Sequence, residues 1–235
     1  MDFRQFVLAA STADLGEEPA AREHADAVEF RIDLADEPLA QLRAYDGRLP
    51  LVATNRVAWE GGDAPAGPER LEVLEAAVEH PAVEAVDLEL AALERREGGD
   101  EAGDARRVRE HARRHGVAVI ASVHDFEGTP DREGMADLLA RAGEHGDLAK
   151  LAVTADTPAD VLDLLAATWA ASREGRVATM AMGEAGRHSR AVAPVYGSRI
   201  GYAPVDPAEA TAPGQYDLAT LAELVETLGV RRAED

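Results

Sequence analysis

Apolar residues fall along this chain in eight short runs, and stretches of helical periodicity separate them. The runs are Phe6–Ser11, Ala27–Leu34, Leu49–Arg56, Ala85–Leu90, Val117–Val123, Leu148–Val153, Val177–Met182 and Ser198–Tyr202, each of strand length. Between them apolar residues recur three and four apart: Leu71, Leu74 and Val78; Val161, Leu164, Leu165 and Trp169; Leu218, Leu221, Val225 and Leu228. That spacing lines one face of a helix. Thr129-Pro130 and Thr157-Pro158 predict helix starts, a capping hydroxyl before a proline at the first helical position, and Asp217 caps the last helix. Gly116 and Gly175 stand where helices give way to strands. Eight strand–helix units in 235 residues predict an α/β fold, a (β/α)8 TIM barrel forming one domain over residues 1–235. A doubly wound open sheet has fewer strands and a glycine-rich first turn. No G-x-G-x-x-G follows a strand here, and no glycine run precedes Lys150 to make a Walker A loop. There is no internal repeat and no linker. Gly61–Gly67 and Pro204–Gly214 are expected as loops over one face.

Composition narrows the function. Aromatics are only 4% against 46% hydrophobic residues, so the interior is built of Ala, Val and Leu. The absence of Cys excludes a disulfide scaffold, thiolate zinc sites and cysteine nucleophiles. The first apolar run, Phe6 to Ala10, is too short for a signal or membrane segment, and a cytoplasmic protein with no membrane partner is expected. A formal net charge of -21 argues against nucleic acid, whose phosphates would be repelled. Either a basic partner or a salt-rich cytoplasm would balance such a charge; because no single block concentrates the acids, the second fits better, as in proteins of halophilic archaea, where salt screens self-repulsion. The basic residues are 23 arginines and one lysine, Lys150. In a lineage that uses Arg nearly everywhere, a lone lysine is either a chance survivor or is kept where an amine must shed its proton and act as a nucleophile.

In a barrel, chemistry gathers at the C-terminal strand ends and the loops beyond them. Those ends carry Glu29 and Arg31, Arg56 with Glu60 just beyond, Asp87, His124, Lys150, and Arg190 shortly after strand seven. Each alone reads as a strand-end ion pair; together they converge on one face.

These residues sit in blocks. Glu29-Phe30-Arg31-Ile32-Asp33, Arg56 with Glu60-Gly61-Gly62, Ser122-Val123-His124-Asp125-Phe126, Lys150-Leu151-Ala152-Val153, Met180 to Gly183 with Ser189-Arg190, and Ala212-Pro213-Gly214-Gln215 resemble, in this order and over nearly the whole chain, the type I 3-dehydroquinate dehydratases. The resemblance implies a hydro-lyase of the shikimate pathway. It turns 3-dehydroquinate into 3-dehydroshikimate through an imine on Lys150, with His124 as general acid and base and Glu60 orienting it. It implies that Arg190 holds the substrate carboxylate, that Glu29, Arg31, Arg56, Thr211 and Gln215 bind the rest of the substrate, and that Asp87 lies behind them. It implies no metal, no organic cofactor and a homodimer. Thr211 stands where the family commonly has Ser, and with few residues before the first strand a hairpin under the barrel is expected to be reduced or missing.

Other features weigh less. His111 and His115, four apart, have no third metal ligand near in sequence, and an exposed polar face is expected. His188-Ser189-Arg190 lacks the G-x-S-x-G elbow of a serine nucleophile. His24, His80 and His145 fall at helix ends, and Trp59 is either a loop anchor or a cover for substrate. Two other readings remain at this point. One is a class I aldolase, for which Gly183-Glu184-Ala185-Gly186 is a partial phosphate-binding turn. The other is a non-catalytic barrel that binds a carboxylated metabolite.

Overall fold

All eight apolar runs form strands in the computed structural model, which describes residues 1–94, 100–206, 208 and 214–232. They are β1 Val7–Thr12, β2 Ala27–Arg31, β3 Leu51–Thr54, β4 Val83–Glu89, β5 Ala118–Asp125, β6 Leu148–Thr154, β7 Val177–Met182 and β8 Ile200–Pro204. Neighbours pair in parallel in the order β7-β6-β5-β4-β3-β2-β1-β8. Between β7 and β8 the seam is thinner. The bridge Val177–Ser198 spans it, Arg199 N donates to Val177 O at 2.8 Å, and Thr179 N donates to Ser198 Oγ at 3.0 Å. The result is a nearly closed (β/α)8 barrel.

Helices surround it: α1 Glu18–Ala21, α2 Pro38–Ala44, α3 Pro68–Val78, α4 Leu90–Glu94, α5 Asp100–His115, α6 Arg132–His145, α7 Pro158–Ala171, α8 Gly183–Gly186, α9 Ser189–Val192 and α10 Leu218–Thr227. Leu71, Leu74, Val78, Val161, Leu164, Leu165, Leu218, Leu221 and Val225 are buried as their spacing predicts. Trp169 is not; it is 55% exposed. The inward place belongs to Thr168, fully buried, whose hydroxyl bonds Leu164 O at 2.7 Å and meets Thr179 Oγ1 at 2.6 Å. One residue further is about 100° around the helix, which faces water. Leu228 also faces out because α10 ends before it.

Two other expectations are corrected. Strand two ends at Arg31, and Ile32–Leu34 is a 3-10 turn. The Arg31 guanidinium forks onto Asp33 at 2.9 and 2.6 Å, across the start of that turn. The helix expected at Thr129-Pro130 begins at Arg132 and is capped by Asp131, which accepts from Gly134 N at 2.8 Å. Thr129 instead donates to Thr154 O at 2.7 Å, pinning the β5–α6 loop to β6. At Thr157 the expected cap stands: Asp160 Oδ2 accepts from Thr157 N at 2.7 Å. Asp217 caps α10 through Thr220 N at 2.9 Å.

Side chains alternate across each strand, and the barrel divides accordingly. Val28 and Phe30 of β2 face the helices, whereas Ala27 faces the barrel axis and Glu29 and Arg31 its mouth. The lower interior holds small and medium residues: Val7, Ala9, Val52, Ala85, Ala118 and Ala178. A narrow barrel has room for little else. Phe3 plugs the base, 1% exposed, with a positive φ of 51° that turns its ring inward. Residues 1–6 form no hairpin. Above this apolar plug every inward position is a potential site.

Candidate active site

The mouth is an open pocket lined by residues from most strands: Glu29 and Arg31 (β2), Thr54 (β3), His124 (β5), Lys150 and Ala152 (β6), Met180 and Met182 (β7) and Tyr202 (β8). Arg56, Glu60 and Gly61 follow β3, Phe126 follows β5, and Arg190 and Gln215 complete the wall. The sequence-predicted candidates therefore meet in one place, with Asp87 directly behind Lys150. Thr211 lies outside the described residues, as does part of the loop expected over Pro204–Gly214.

Lys150 is 4% exposed. Its Nζ lies 3.0 Å from Asp87 Oδ2 and 4.4 Å above the Tyr202 ring. The other oxygen, Asp87 Oδ1, accepts from Ser122 Oγ at 2.6 Å and lies 2.7 Å from Arg56 Nη2. Burial alone would raise the Asp87 carboxyl; Arg56 and Lys150 overcome it and hold Asp87 well below the usual carboxylate range. Arg56 Nη1 donates to Glu89 at 3.0 Å and to Ser122 Oγ at 2.9 Å, and Glu89 pairs with Arg70 of α3 at 2.9 Å. Charges of alternating sign thus run from the helix layer to the lysine: Arg70, Glu89, Arg56, Asp87, Lys150. Each buried ion has an opposite partner, without which it would carry a heavy desolvation cost.

The second cluster joins a loop to a strand. Ala58–Glu60 is a single 3-10 turn ending at Gly61 with φ 78°, a left-handed conformation that glycine adopts at little cost. It aims Glu60 Oε2 at His124 Nδ1, 2.9 Å away. Burial pushes the Glu60 carboxyl up to about 8 against the pull of Arg56. Burial, then Arg56 and Lys150, hold His124 well below its ordinary value. On β2, Glu29 accepts from Ser11 Oγ at 2.6 Å and from Thr54 Oγ1 at 3.1 Å.

Arg190 comes from α9, which Ser189 ties to β7: its Oγ accepts from Ala181 N at 2.8 Å. That hydroxyl serves the backbone and does not face the cavity lining. Burial lowers Arg190 to about 10, so it stays charged at neutral pH. Gly214, at φ 76°, brings the chain so close to Gly183 O that a Cβ would lie 2.5 Å from it; Gln215 follows directly.

Sequence reasoning assigned nothing to Glu89, Arg70, Asp33 or Tyr202, and no role to Ser122 or Phe126. Strand alternation was the available signal for Glu89 and Ser122, each two residues from a named candidate. Arg70 gives no such signal, because it reaches Glu89 from a helix. Trp59 is exposed. His111 and His115 place their rings 4.2 Å apart on α5, and among the described residues no group of three or more His, Asp or Glu is arranged to hold a metal. No helix among them is long and apolar enough to cross a membrane.

Against known proteins, the family model described as Type I 3-dehydroquinase matches residues 8–232. The chain is 63% identical over 226 residues to the 3-dehydroquinate dehydratase of Haloarcula marismortui, covering 96% of this chain and 97% of that protein. It is 50% identical over 229 residues to that of Halobacterium salinarum, covering 97% and 100%. The crystal structure of 3-dehydroquinate dehydratase from Geobacillus kaustophilus HTA426 superposes with a TM-score of 0.82 at 29% identity, covering 96% of this chain and 92% of that one.

Proposed function

This chain belongs to the type I 3-dehydroquinase family, and from that premise we propose that it dehydrates 3-dehydroquinate to 3-dehydroshikimate through an imine on Lys150, with His124 and Glu60 moving the protons. One observation carries the reading. A single buried amine faces a charged cavity, and a carboxylate-held imidazole on the adjacent strand faces the same space.

Lys150 must lose a proton before it can attack. Asp87, held well below the carboxylate range, is the weaker acceptor, so the His124–Glu60 pair takes it. Nζ then adds to the C3 ketone and water leaves, forming the C=N bond. With Nδ1 donating to ionised Glu60, Nε2 of His124 is the nitrogen left to remove the C2 proton. The C–H electron pair moves into the imine, which acts as the sink, and an enamine forms. Its return expels the C1 hydroxyl, which takes the proton from His124 and departs as water. Hydrolysis of the conjugated imine consumes one water and frees Lys150, so one water is lost overall. Arg190 grips the substrate carboxylate with its planar fork. Glu29, Arg31, Thr211 and Gln215 take the hydroxyls, and Arg56, already engaged by carboxylates, sets the field around the imine. Of the readings weighed at the outset, neither the aldolase nor the non-catalytic binder is supported by the family. A homodimer in a salt-loaded cytoplasm belongs to the same reading; light scattering in molar KCl tests it, and a mass of one chain would reject the dimer.

Borohydride reduction in the presence of 3-dehydroquinate, followed by peptide mass spectrometry, tests the chemistry. A reduced adduct is expected on Lys150, together with rising absorbance of the conjugated enone in unreduced samples. No adduct, in salt that keeps the protein folded, would remove Lys150 from catalysis.

A further inference from the structure

Glu60 and His124 act together only if two separate elements stay in register: the turn after β3 and the end of β5. The turn is a short device. Its backbone bonds close on itself, from Glu60 N and Gly62 N to Val57 O and from Ala64 N to Arg56 O. Val57 N reaches Glu89 of β4 at 3.2 Å, and Asp63 N reaches Asp33 beyond β2, also at 3.2 Å. Toward β5 the turn meets the ring of Phe126. That ring crosses Gly61 so closely that a Cβ there would lie 2.2 Å from Phe126 Cζ. The same ring lies nearly parallel to the His124 imidazole, with centroids 6.5 Å apart and planes at 20°. One side chain thus packs on the backbone next to Glu60 and lies beside the imidazole that Glu60 holds. Phe126 is also 47% exposed, at the rim of a charged cavity. An aromatic ring so placed buries too little surface to be explained by core packing.

We propose that Phe126 is a positioning residue for the reaction: its ring clamps the Glu60 turn to β5 and shields the Glu60–His124 hydrogen bond from water, with Gly61 providing the space. The clamp rests on the dehydratase reading above for its kinetic consequences but not for its structural ones. Shielding has a measurable correlate. Glu60 is faced by Arg56, His124, Glu89, Asp87 and Lys150, and none of these contacts runs through Phe126. What the ring controls is water access, and burial is the largest influence on both Glu60 and His124. Opening the site should therefore return both groups toward their ordinary values, Glu60 downward and His124 upward.

The test compares Phe126→Ala, Phe126→Leu, Gly61→Ala and the double variant with the unaltered enzyme, all in molar KCl with melting curves to confirm folding. Turnover of 3-dehydroquinate by Phe126→Ala is expected to fall at least about tenfold in kcat with little change in KM, since displacement of a catalytic pair costs rate first. The acid limb of kcat/KM is expected to move to lower pH, and Phe126→Leu to recover part of both. Gly61→Ala both forces the ring away and strains the left-handed turn; removing the ring relieves only the first, so the double variant should be no worse than Gly61→Ala alone. Nitrogen NMR of His124 reads the clamp without substrate: its titration should move up in Phe126→Ala. If the unaltered enzyme does not turn over 3-dehydroquinate, the dehydratase reading fails and the NMR shift still decides the clamp. An unshifted His124 titration, or a folded Phe126→Ala with the original pH profile, would overturn it.

Discussion

Lys150 and Glu60 share one difficulty: each is an ionisable group held out of water. They meet it differently. Lys150 rests against Asp87, so its charge is paired in the resting site. Lys150→Arg keeps a cation for Asp87 but cannot form an imine. Turnover should fall by at least about 10³-fold, the scale seen when a nucleophile is removed, while the melting temperature changes by a few degrees at most. Glu60 takes the other course and is pushed up to about 8 by burial. The folded protein therefore keeps a proton that the unfolded chain releases near the ordinary value of 4.5. Such a group contributes stability fully below 4.5 and loses it as pH rises through about 8. Two measurements follow. The kcat/KM profile should rise toward an acid limb near 8, because the ionised form of Glu60 is the one that frees Nε2. Glu60→Gln should raise the melting temperature relative to the unaltered protein at pH 9 but not at pH 5, while losing most activity. A melting difference equal at both pH values would contradict the raised carboxyl.

At the scale of elements, helices and strands follow from periodicity wherever apolar type and inward position coincide, as at Leu71, Leu74 and Val78. They part company in α7. There Thr168 takes the core position because Thr179 across the interface satisfies its hydroxyl, and Trp169 is left outside. A pattern reader sees the tryptophan and not the partner. The start of α6 is a similar case. Thr129-Pro130 has the form of a cap, but the Thr129 hydroxyl is claimed by Thr154 of β6, and Asp131 caps instead. Asp131→Ala should thus destabilise the protein by about 1 kcal/mol, the usual worth of an N-cap, measured by urea unfolding. No loss from Asp131→Ala would contradict the cap at Asp131.

The whole molecule carries 45 acidic against 24 basic residues. Surface pairs such as Arg132–Asp163 and Arg107–Glu75 neutralise only part of that excess. In molar KCl the screening length shrinks to about 3 Å, and mutual repulsion of the remaining carboxylates largely vanishes. Thermal melts should therefore rise steadily from low to molar KCl; a flat series would show that the acidic surface does not limit stability.

Periodicity, length and the strand-end residues were local properties, and they determined the barrel and most of its mouth. Eight runs of strand length can close only by covering both faces, and alternation sends every second residue inward. The single lysine among 23 arginines singled out one candidate amine, and its place on a strand put it at the mouth. Tertiary structure decided the partners. That Asp87 meets Lys150, that Arg70 anchors Glu89, and that the Phe126 ring packs on Gly61 are contacts between residues apart in the chain. They depend on strand register and on which loop packs over which, and no local pattern encodes either.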